Sequence, residues 1–130
     1  MQFTLDRFNK RPAATAEQIA AFATASRLTL PQDYTAFLKQ ANGGEGMVGP
    51  NAYLILFAVD ELASLNKAYQ VEDYVPGLLI FGSDGGGEAY AFHTRDAMRV
   101  VRMPFVGMDP STVEALVDDF TAFIEYLARQ

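Results

Sequence analysis

The sequence predicts an α+β fold in which a mostly antiparallel sheet of about five strands is packed by N-terminal helices and a C-terminal helix. The first observation is a β-hairpin pattern in residues 76 to 93, where an apolar run, a glycine cluster and a second strand-like run follow one another. The second is apolar residues at helical spacing on both sides of this hairpin. The third is the length of 130 residues, which suits one domain whose core needs no metal or disulfide.

Two helices are expected before the hairpin, after an irregular arm of residues 1 to 14. Thr15 and Gln18 form a capping box for the first helix, which should end near Ser26. Pro31 suits the first turn of the second helix. The apolar positions of this helix, at i, i+3, i+4 and i+7, are Tyr34, Phe37, Leu38 and Ala41. Residues 42 to 44, Asn-Gly-Gly, should end it, because Asn and Gly take the left-handed cap conformation.

The segment between the second helix and the hairpin has less regular signals. Residues 45 to 52 are predicted to be a loop, with at most a short edge strand at Met47 and Val48. Residues 53 to 58 are rich in β-formers and should be a buried strand. Asp60 is placed to cap a third helix that carries Leu62, Leu65 and Tyr69.

The hairpin should lie at the centre of the sheet. Leu78 and Ile80 point to one face and Leu79 and Phe81 to the other, so both faces of this strand are apolar. After the hairpin we expect a half-solvated strand at residues 98 to 103, then a loop and a turn or strand fragment, and a helix from about Asp118. The predicted core contains Phe37, Leu38, Leu56, Leu79, Phe81, Tyr90, Phe120 and Ile124.

Composition excludes several classes of chemistry. The chain has no cysteine and one histidine, which removes disulfides, thiolate catalysis and cysteine-based zinc sites. We expect no metal and no cofactor. The N-terminus lacks the basic-then-apolar plan of a signal peptide, and no apolar run approaches the length of a membrane span. The expected location is therefore the cytoplasm.

The negative charge is concentrated in the middle of the chain. Residues 28 to 94 carry two basic and eight acidic side chains, whereas the whole chain has a net charge of -6. This distribution argues against nucleic acid as a partner, because phosphates require basic surface. It suits a basic protein partner, and an acidic surface also serves solubility alone.

Five segments, in this order, resemble the SUKH superfamily, which is named in part for the Smi and Knr cell-wall regulators of fungi. They are LPQDYTAFLKQANGG, YLILF, ELASLNKAYQ, PGLLIFGSDGGGEAYAF and DDFTAFIEYL. The resemblance covers about residues 28 to 127. Its signature positions are Pro31, Tyr34, Asn42, Gly43, Gly44, Phe81, Gly82, Asp84, Gly85, Gly86 and Gly87.

The resemblance implies one α+β domain over residues 1 to 130 that acts as a protein-binding module. Many bacterial members of the superfamily are immunity proteins that bind and neutralise polymorphic toxins, often nucleases, and eukaryotic members act as interaction modules. The superfamily has no established catalytic residues, so the resemblance assigns none here. We expect a protein partner, such as a basic toxin domain, and a chain that is a monomer or a weak homodimer.

A small-molecule-binding protein or small hydrolase that uses the glycine-rich loop at residues 83 to 88 is the alternative. Ser83 and Asp84 are the nearest candidates for a triad with His93, but Ser83 and His93 lie on opposite arms of the hairpin, about five ladder positions apart. The loop also lacks the lysine and the following helix of a phosphate site. We therefore expect no enzymatic activity, and we expect the glycines to supply positive φ in a tight turn.

A partner surface is expected on loops, where binding residues concentrate on a rigid scaffold. The candidate acids lie after the second helix and around the hairpin, and the candidate aromatic anchors lie near them. These interface candidates are Glu45, Glu72, Asp73, Asp84, Glu88, Tyr53, Tyr69 and Tyr74.

Overall fold

A computed structural model describes residues 6–130. In this part of the chain the strands form one seven-stranded sheet in which every strand pairs antiparallel with its neighbour in sequence. The strands are β1 (Phe8–Lys10), β2 (Gly44–Val48), β3 (Ala52–Leu56), β4 (Leu78–Ser83), β5 (Glu88–His93), β6 (Arg99–Pro104) and β7 (Glu114–Val117). The predicted α+β class and antiparallel sheet are confirmed, with seven strands in place of about five.

Five α-helices are found in the described residues, together with 3₁₀ turns at Val59–Glu61 and Pro110–Thr112. The helices are α1 (Ala16–Ser26), α2 (Gln32–Leu38), α3 (Leu62–Ala68), α4 (Val71–Tyr74) and α5 (Phe120–Ala128). The capping box of Thr15 and Gln18 is present at the start of α1, as predicted. Helix α2 ends at Leu38, earlier than expected, and Gly43 takes its left-handed conformation just before β2, with φ of 81°.

Strands β4 and β5 form the predicted central hairpin. Every residue of β4 is buried. Leu79 and Phe81 face a main core, and Leu78 and Ile80 face a smaller second core on the other side of the sheet. Because both faces are covered, the hydrophobic stabilisation of this strand comes from both sides.

The main core lies between the sheet and helices α1, α2 and α5. It contains all eight residues predicted to share one core. Phe81 stacks on Phe92 with ring centroids 4.2 Å apart, and Tyr34, Phe120 and Phe123 pack around this pair. The second core covers the opposite face with Val71 and Val75, near α4, and Met108 from the loop after β6.

The predictions for the arm and for residues 45 to 52 were only partly right. The strand expected at Met47 and Val48 is present as part of a longer inner strand, and residues 1 to 5 of the arm lie outside the described residues. Residues 8 to 10 form β1, and the glycine-rich segment that looked like a loop forms β2, which pairs with β1 and β3. A Cβ at Gly44 would lie 2.2 Å from the carbonyl oxygen of Asn9, and one at Gly46 would lie 2.2 Å from that of Arg7. These glycines therefore permit the close approach of β1 and do not mark a turn.

Two other local details differ from the prediction. Asp60 does not cap a helix, since its carboxylate accepts a hydrogen bond from the side chain of Asn42 at 2.9 Å. The side-chain oxygen Oδ1 of Asn42 in turn accepts from the backbone N–H of Val59 at 2.8 Å, so this buried side chain joins the end of the α2 region to the turn before α3. At α5 the cap is Asp119, one residue after the predicted Asp118, and the expected strand fragment before it is β7.

Candidate functional site

The turn between β4 and β5 is held by its own side chains. The hydroxyl of Ser83 accepts from the N–H of Gly85 at 3.0 Å, and one carboxylate oxygen of Asp84 accepts from the N–H groups of Gly86 and Glu88 at 2.7 and 3.0 Å. Gly85 and Gly87 have positive φ, as predicted for at least one of these glycines, whereas Gly86 does not. Because three amides of the turn bind side chains of the turn itself, they are not free to hold an anion.

The residues of the enzyme alternative are not brought together. Ser83 pairs with Ala89 at one end of the hairpin and His93 pairs with Leu78 at the other end. Five residue steps of a strand separate them by roughly 17 Å, which is far beyond hydrogen-bond reach. Across residues 6–130, no group of three or more His, Asp or Glu side chains is placed to hold a metal ion.

Four of the predicted interface residues lie at the turn end of the sheet. Glu45 and Tyr53 come from β2 and β3, and Asp84 and Glu88 come from the turn and β5. The Tyr53 hydroxyl donates a hydrogen bond of 2.5 Å to Glu45, and this bond and the negative charge of Glu45 raise the pKa of Tyr53. Tyr53 is 40% exposed, and a Cβ at Gly85 would lie 3.2 Å from its ring. Glu45 is thus part of a strand, whereas a loop was expected.

At the same end of the sheet, Arg102 of β6 lies on the main-core face with Tyr90, whereas Glu45 and Tyr53 lie on the opposite face. Arg102 donates to Glu114 of β7 at 2.8 Å, and its Nε lies 3.8 Å from Glu88 on the other side. The bond to Glu114 raises the pKa of Arg102 further above its ordinary value. We call Glu45, Tyr53, Asp84, Glu88, Arg102 and Glu114 the hairpin-turn surface.

The hairpin-turn surface is the acidic end of the sheet. It carries four carboxylates and one guanidinium, a net charge of -3. From β2 to β7 it crosses five strand spacings, or roughly 24 Å. An interface of standard size, about 800 Å² on each partner, can cover that span.

A polar pocket of about 330 Å³ opens within the hairpin-turn surface, between the turn, β5, β6 and the end of α5. Asp84, Tyr90, Arg102 and Tyr126 are among its lining residues. Tyr90 is only 4% exposed, and burial together with the nearby charge of Asp84 raises its pKa to about 12. The Nε atom of Arg102 is buried and has no hydrogen-bond partner among the described residues.

The other four candidates lie on a separate surface, formed by α3 and α4. Tyr69 and Tyr74 are exposed by 41% and 52%, and Glu72 and Asp73 are exposed beside them. A groove of about 510 Å³ lies next to these acids and reaches Gly77 and Thr94, at the opposite end of the hairpin from the turn. Lys67 also lines the groove and Arg95 packs against Gly77, so the charge around it is mixed. We call Tyr69, Glu72, Asp73 and Tyr74 the α3–α4 surface.

The predicted interface residues therefore form two sets, and part of the first set was missed. From the sequence, Arg102 is only part of the half-solvated strand at residues 98 to 103, and Tyr90 is only a predicted core residue. Tyr126 had no signal of its own because it lies beside the apolar stripe of α5, where a partly buried tyrosine is ordinary. The alternation of β6 does place Arg102 on the face of Tyr90, since the two residues are direct cross-strand partners.

The comparison with known families agrees with the SUKH resemblance. Residues 13–126 match the model of the SMI1 / KNR4 family (SUKH-1). The chain belongs to this family. No curated protein matches the chain. The signature positions of the SUKH resemblance lie inside the matched segment, and in the structure Tyr34 and Phe81 are core residues, Asn42 joins two elements, and Asp84 closes the hairpin turn.

The helices of this SUKH-1 domain can be compared with a membrane-spanning helix. In the part of the chain that the structure describes, no helix has both the length and the apolar character that crossing a bilayer requires.

Proposed function

We propose that this SUKH-1 chain is a non-enzymatic protein-binding module that acts as an immunity protein, and that it binds a basic toxin domain through the hairpin-turn surface. The observation that carries the proposal is the net charge of -3 at one end of the sheet, where an exposed tyrosine contacts one of the carboxylates. Charge of one sign steers a partner of the other sign and raises the association rate.

Tyr53 is suited to be the anchor of this surface. Tyrosine is among the residues that dominate binding energy at interfaces, because it adds a large contact area with few rotatable bonds. The hydrogen bond to Glu45 and the contact with Gly85 hold the side chain in one orientation before any partner arrives. Such pre-organisation lowers the entropy cost of association.

The immunity role is supported by the family and by the absence of a catalytic arrangement around Ser83 and His93. A nuclease toxin has basic surface for nucleic acid, and an acidic inhibitor can cover that surface. The cytoplasm is the compartment in which such an inhibitor would meet its toxin.

The test begins with identifying the protein that co-purifies with the chain from its native host, followed by surface plasmon resonance against that protein. The first variant combines Glu45→Gln and Asp84→Asn, which remove two charges and keep both hydrogen-bond acceptors. The matched control combines Glu72→Gln and Asp73→Asn on the α3–α4 surface, and it has the same net charge. We expect the association rate to fall roughly tenfold between low and high salt, and roughly fivefold in the first variant at low salt.

The control should keep an association rate within about twofold of the unaltered chain. Association that does not depend on salt, or an equal effect in both variants, would contradict the proposed surface. Turnover of a small substrate that is lost in Ser83→Ala or His93→Ala would contradict the binding-module proposal as a whole.

A further inference from the structure

We infer that the polar pocket of the hairpin-turn surface is a receptor for a single Lys or Arg side chain. The inference rests on the proposed function in one respect: the cationic side chain would belong to the basic partner. The pocket volume of about 330 Å³ is at the lower end of the range of ligand sites, so one side chain suits it better than a large ligand.

Two acceptors at the pocket are available to a ligand. Tyr90 lines the pocket and is 4% exposed, and its hydroxyl forms no hydrogen bond among residues 6–130. Asp84 uses only one of its carboxylate oxygens, Oδ1, to close the turn. The other oxygen remains an acceptor at the wall of the pocket.

The charges around the pocket decide the sign of the ligand that it accepts. Arg102 is the one basic residue at the pocket: its Nη2 donates to Glu114, and its Nε, a buried donor with no hydrogen-bond partner among the described residues, lies 3.8 Å from the carboxylate of Glu88. With Asp84 included, the pocket and the ion pairs around it sum to -2. At the Tyr90 hydroxyl the charge of Asp84 outweighs that of Arg102. An anion would be repelled, whereas a cation would gain from both the net charge and the free acceptors.

The hydrogen-bonding groups of a cationic side chain match those of the pocket. Ammonium and guanidinium groups have only donors, and the oxygen atoms of Asp84 and Tyr90 are acceptors. A charge-assisted hydrogen bond to Asp84 would be stronger than a neutral one, particularly where surrounding protein lowers the local dielectric constant. The cation would bind at Asp84, and the charge of Arg102 is compensated by its two acidic neighbours.

The experiment titrates the full chain with N-acetyl-L-arginine methylamide and follows backbone and tyrosine resonances by NMR. N-acetyl-L-citrulline methylamide is the neutral control of nearly the same shape. We expect saturable shifts confined to residues 84 to 90 and to Arg102 and Tyr126, with a dissociation constant on the order of millimolar for arginine and at least fivefold weaker binding for citrulline.

Asp84→Asn keeps the acceptor that closes the turn, so the variant should fold, and we expect it to weaken arginine binding at least fivefold. Glu72→Gln on the α3–α4 surface should leave binding unchanged. Thermal melting of each variant separates loss of binding from loss of folding, and Tyr90→Phe gives a second variant that removes only a hydroxyl.

Equal binding of the two compounds, shifts centred elsewhere, or no saturable shift up to roughly 100 mM would overturn the inference, because 100 mM corresponds to less than 2 kcal/mol of binding energy. Failure here can be told apart from failure of the proposed function. If the arginine probe does not bind but a co-purified toxin still associates in a salt-dependent way, the receptor is wrong and the immunity proposal stands. If the probe binds but no protein partner exists, the receptor stands and the immunity proposal is wrong.

Discussion

At the scale of single residues, the glycines of the hairpin turn have different roles although they are adjacent in sequence. Gly87 has φ of 107°, a conformation that L side chains rarely adopt, and there is open space where its Cβ would lie. Gly86 lies outside the positive-φ region, and a Cβ there would meet its nearest neighbour at an ordinary 3.6 Å. Backbone conformation alone therefore distinguishes the two positions.

We predict that Gly87→Ala lowers the free energy of unfolding by about 1–2 kcal/mol, because alanine is strained at this φ. Gly86→Ala should change it by less than about 0.5 kcal/mol. Chemical denaturation of both variants measures this difference. Equal stabilities would mean that the turn is free to adopt another conformation.

The hydroxyl of Tyr34 is another residue-scale feature, since it is buried in the main core and has no hydrogen-bond partner among the described residues. Burial raises the pKa of this phenol above its usual value of 10.0. The folded state then holds the proton more tightly than the unfolded state. Ionisation of this phenol therefore does not affect stability well below pH 10, and stability falls as pH rises above 10 because the unfolded state ionises first.

We predict that Tyr34→Phe leaves the free energy of unfolding at pH 7 unchanged or raises it by up to about 1 kcal/mol, because the variant removes an unsatisfied buried polar group. The loss of stability above pH 10 should also be less steep than in the unaltered chain. Urea denaturation at pH 7 and at pH 10.5 tests both points, with the exposed Tyr69→Phe as control. A loss of more than about 1 kcal/mol at pH 7 would show that the hydroxyl has a partner, such as a buried water molecule.

At the scale of elements, the β5–β6 hairpin has a turn whose type its sequence does not predict. Ala97 and Met98 both have positive φ, and the N–H of Arg99 donates to the carbonyl oxygen of Asp96 at 3.0 Å. This is the geometry of a type I′ turn, which usually contains Asn and Gly. The side chain of Met98 packs against the main core, and this contact offsets part of the strain.

We predict that Ala97→Gly raises the free energy of unfolding by about 0.5 kcal/mol, since the strain relieved at this position exceeds the added entropy of the unfolded chain. Ala97 is exposed, so no packing is lost. Ala36→Gly, on the exposed side of α2, should instead be destabilising by about 1 kcal/mol and serves as the control. Destabilisation by both variants would contradict the turn assignment.

The elements also show which parts of the fold could be predicted from the sequence. The central hairpin, α1 and the main core were predicted because periodicity, capping and turn residues agree there. Strand β2 was missed because Gly44 and Gly46 are usually turn residues, and their role depends on β1, which is distant in sequence. Helix α4 was missed because four residues are too few to show a helical period.

Only part of the candidate site could be predicted, and the reason is similar. The acids and tyrosines could be chosen by composition, but their division into two surfaces depends on the register of the sheet. Glu45, Ser83 and Ala89 come into one row only because β2 to β5 pair in sequence order. The pocket also contains Tyr126 from α5. The sequence of a helix end does not show where that end packs in the fold.

At the scale of the whole molecule, the sheet is not uniformly supported. Its two halves meet at β3 and β4, where only Ile55 with Ser83 and Leu56 with Gly82 pair as strand residues. Beyond this short ladder, Asn66 of α3 exchanges hydrogen bonds with the backbone of Ile80 at 2.8 and 2.9 Å. The main core extends across the junction, whereas the second core covers only β4, β5 and β6. These three strands are therefore the part of the sheet that is buried on both faces.

We predict that the amide hydrogens at the centres of β4, β5 and β6 exchange with solvent only through global unfolding, because opening these strands would expose both cores at once. The amides of β1 and β7, at the two edges of the described sheet, should exchange through local openings that cost several kcal/mol less. Hydrogen exchange measured by NMR at increasing urea concentration distinguishes the two cases, since only the global process depends steeply on urea. Val101→Ala, which removes two methyl groups from the second core, should lower the protection of Ala89 and Ala91 by the same free energy as the global stability. Faster exchange at the centre of β5 than in β2 would contradict this account, because the turn that carries Asp84 and Glu88 would then stand on a mobile part of the sheet, and the hairpin-turn surface would lose the rigidity on which its proposed binding depends.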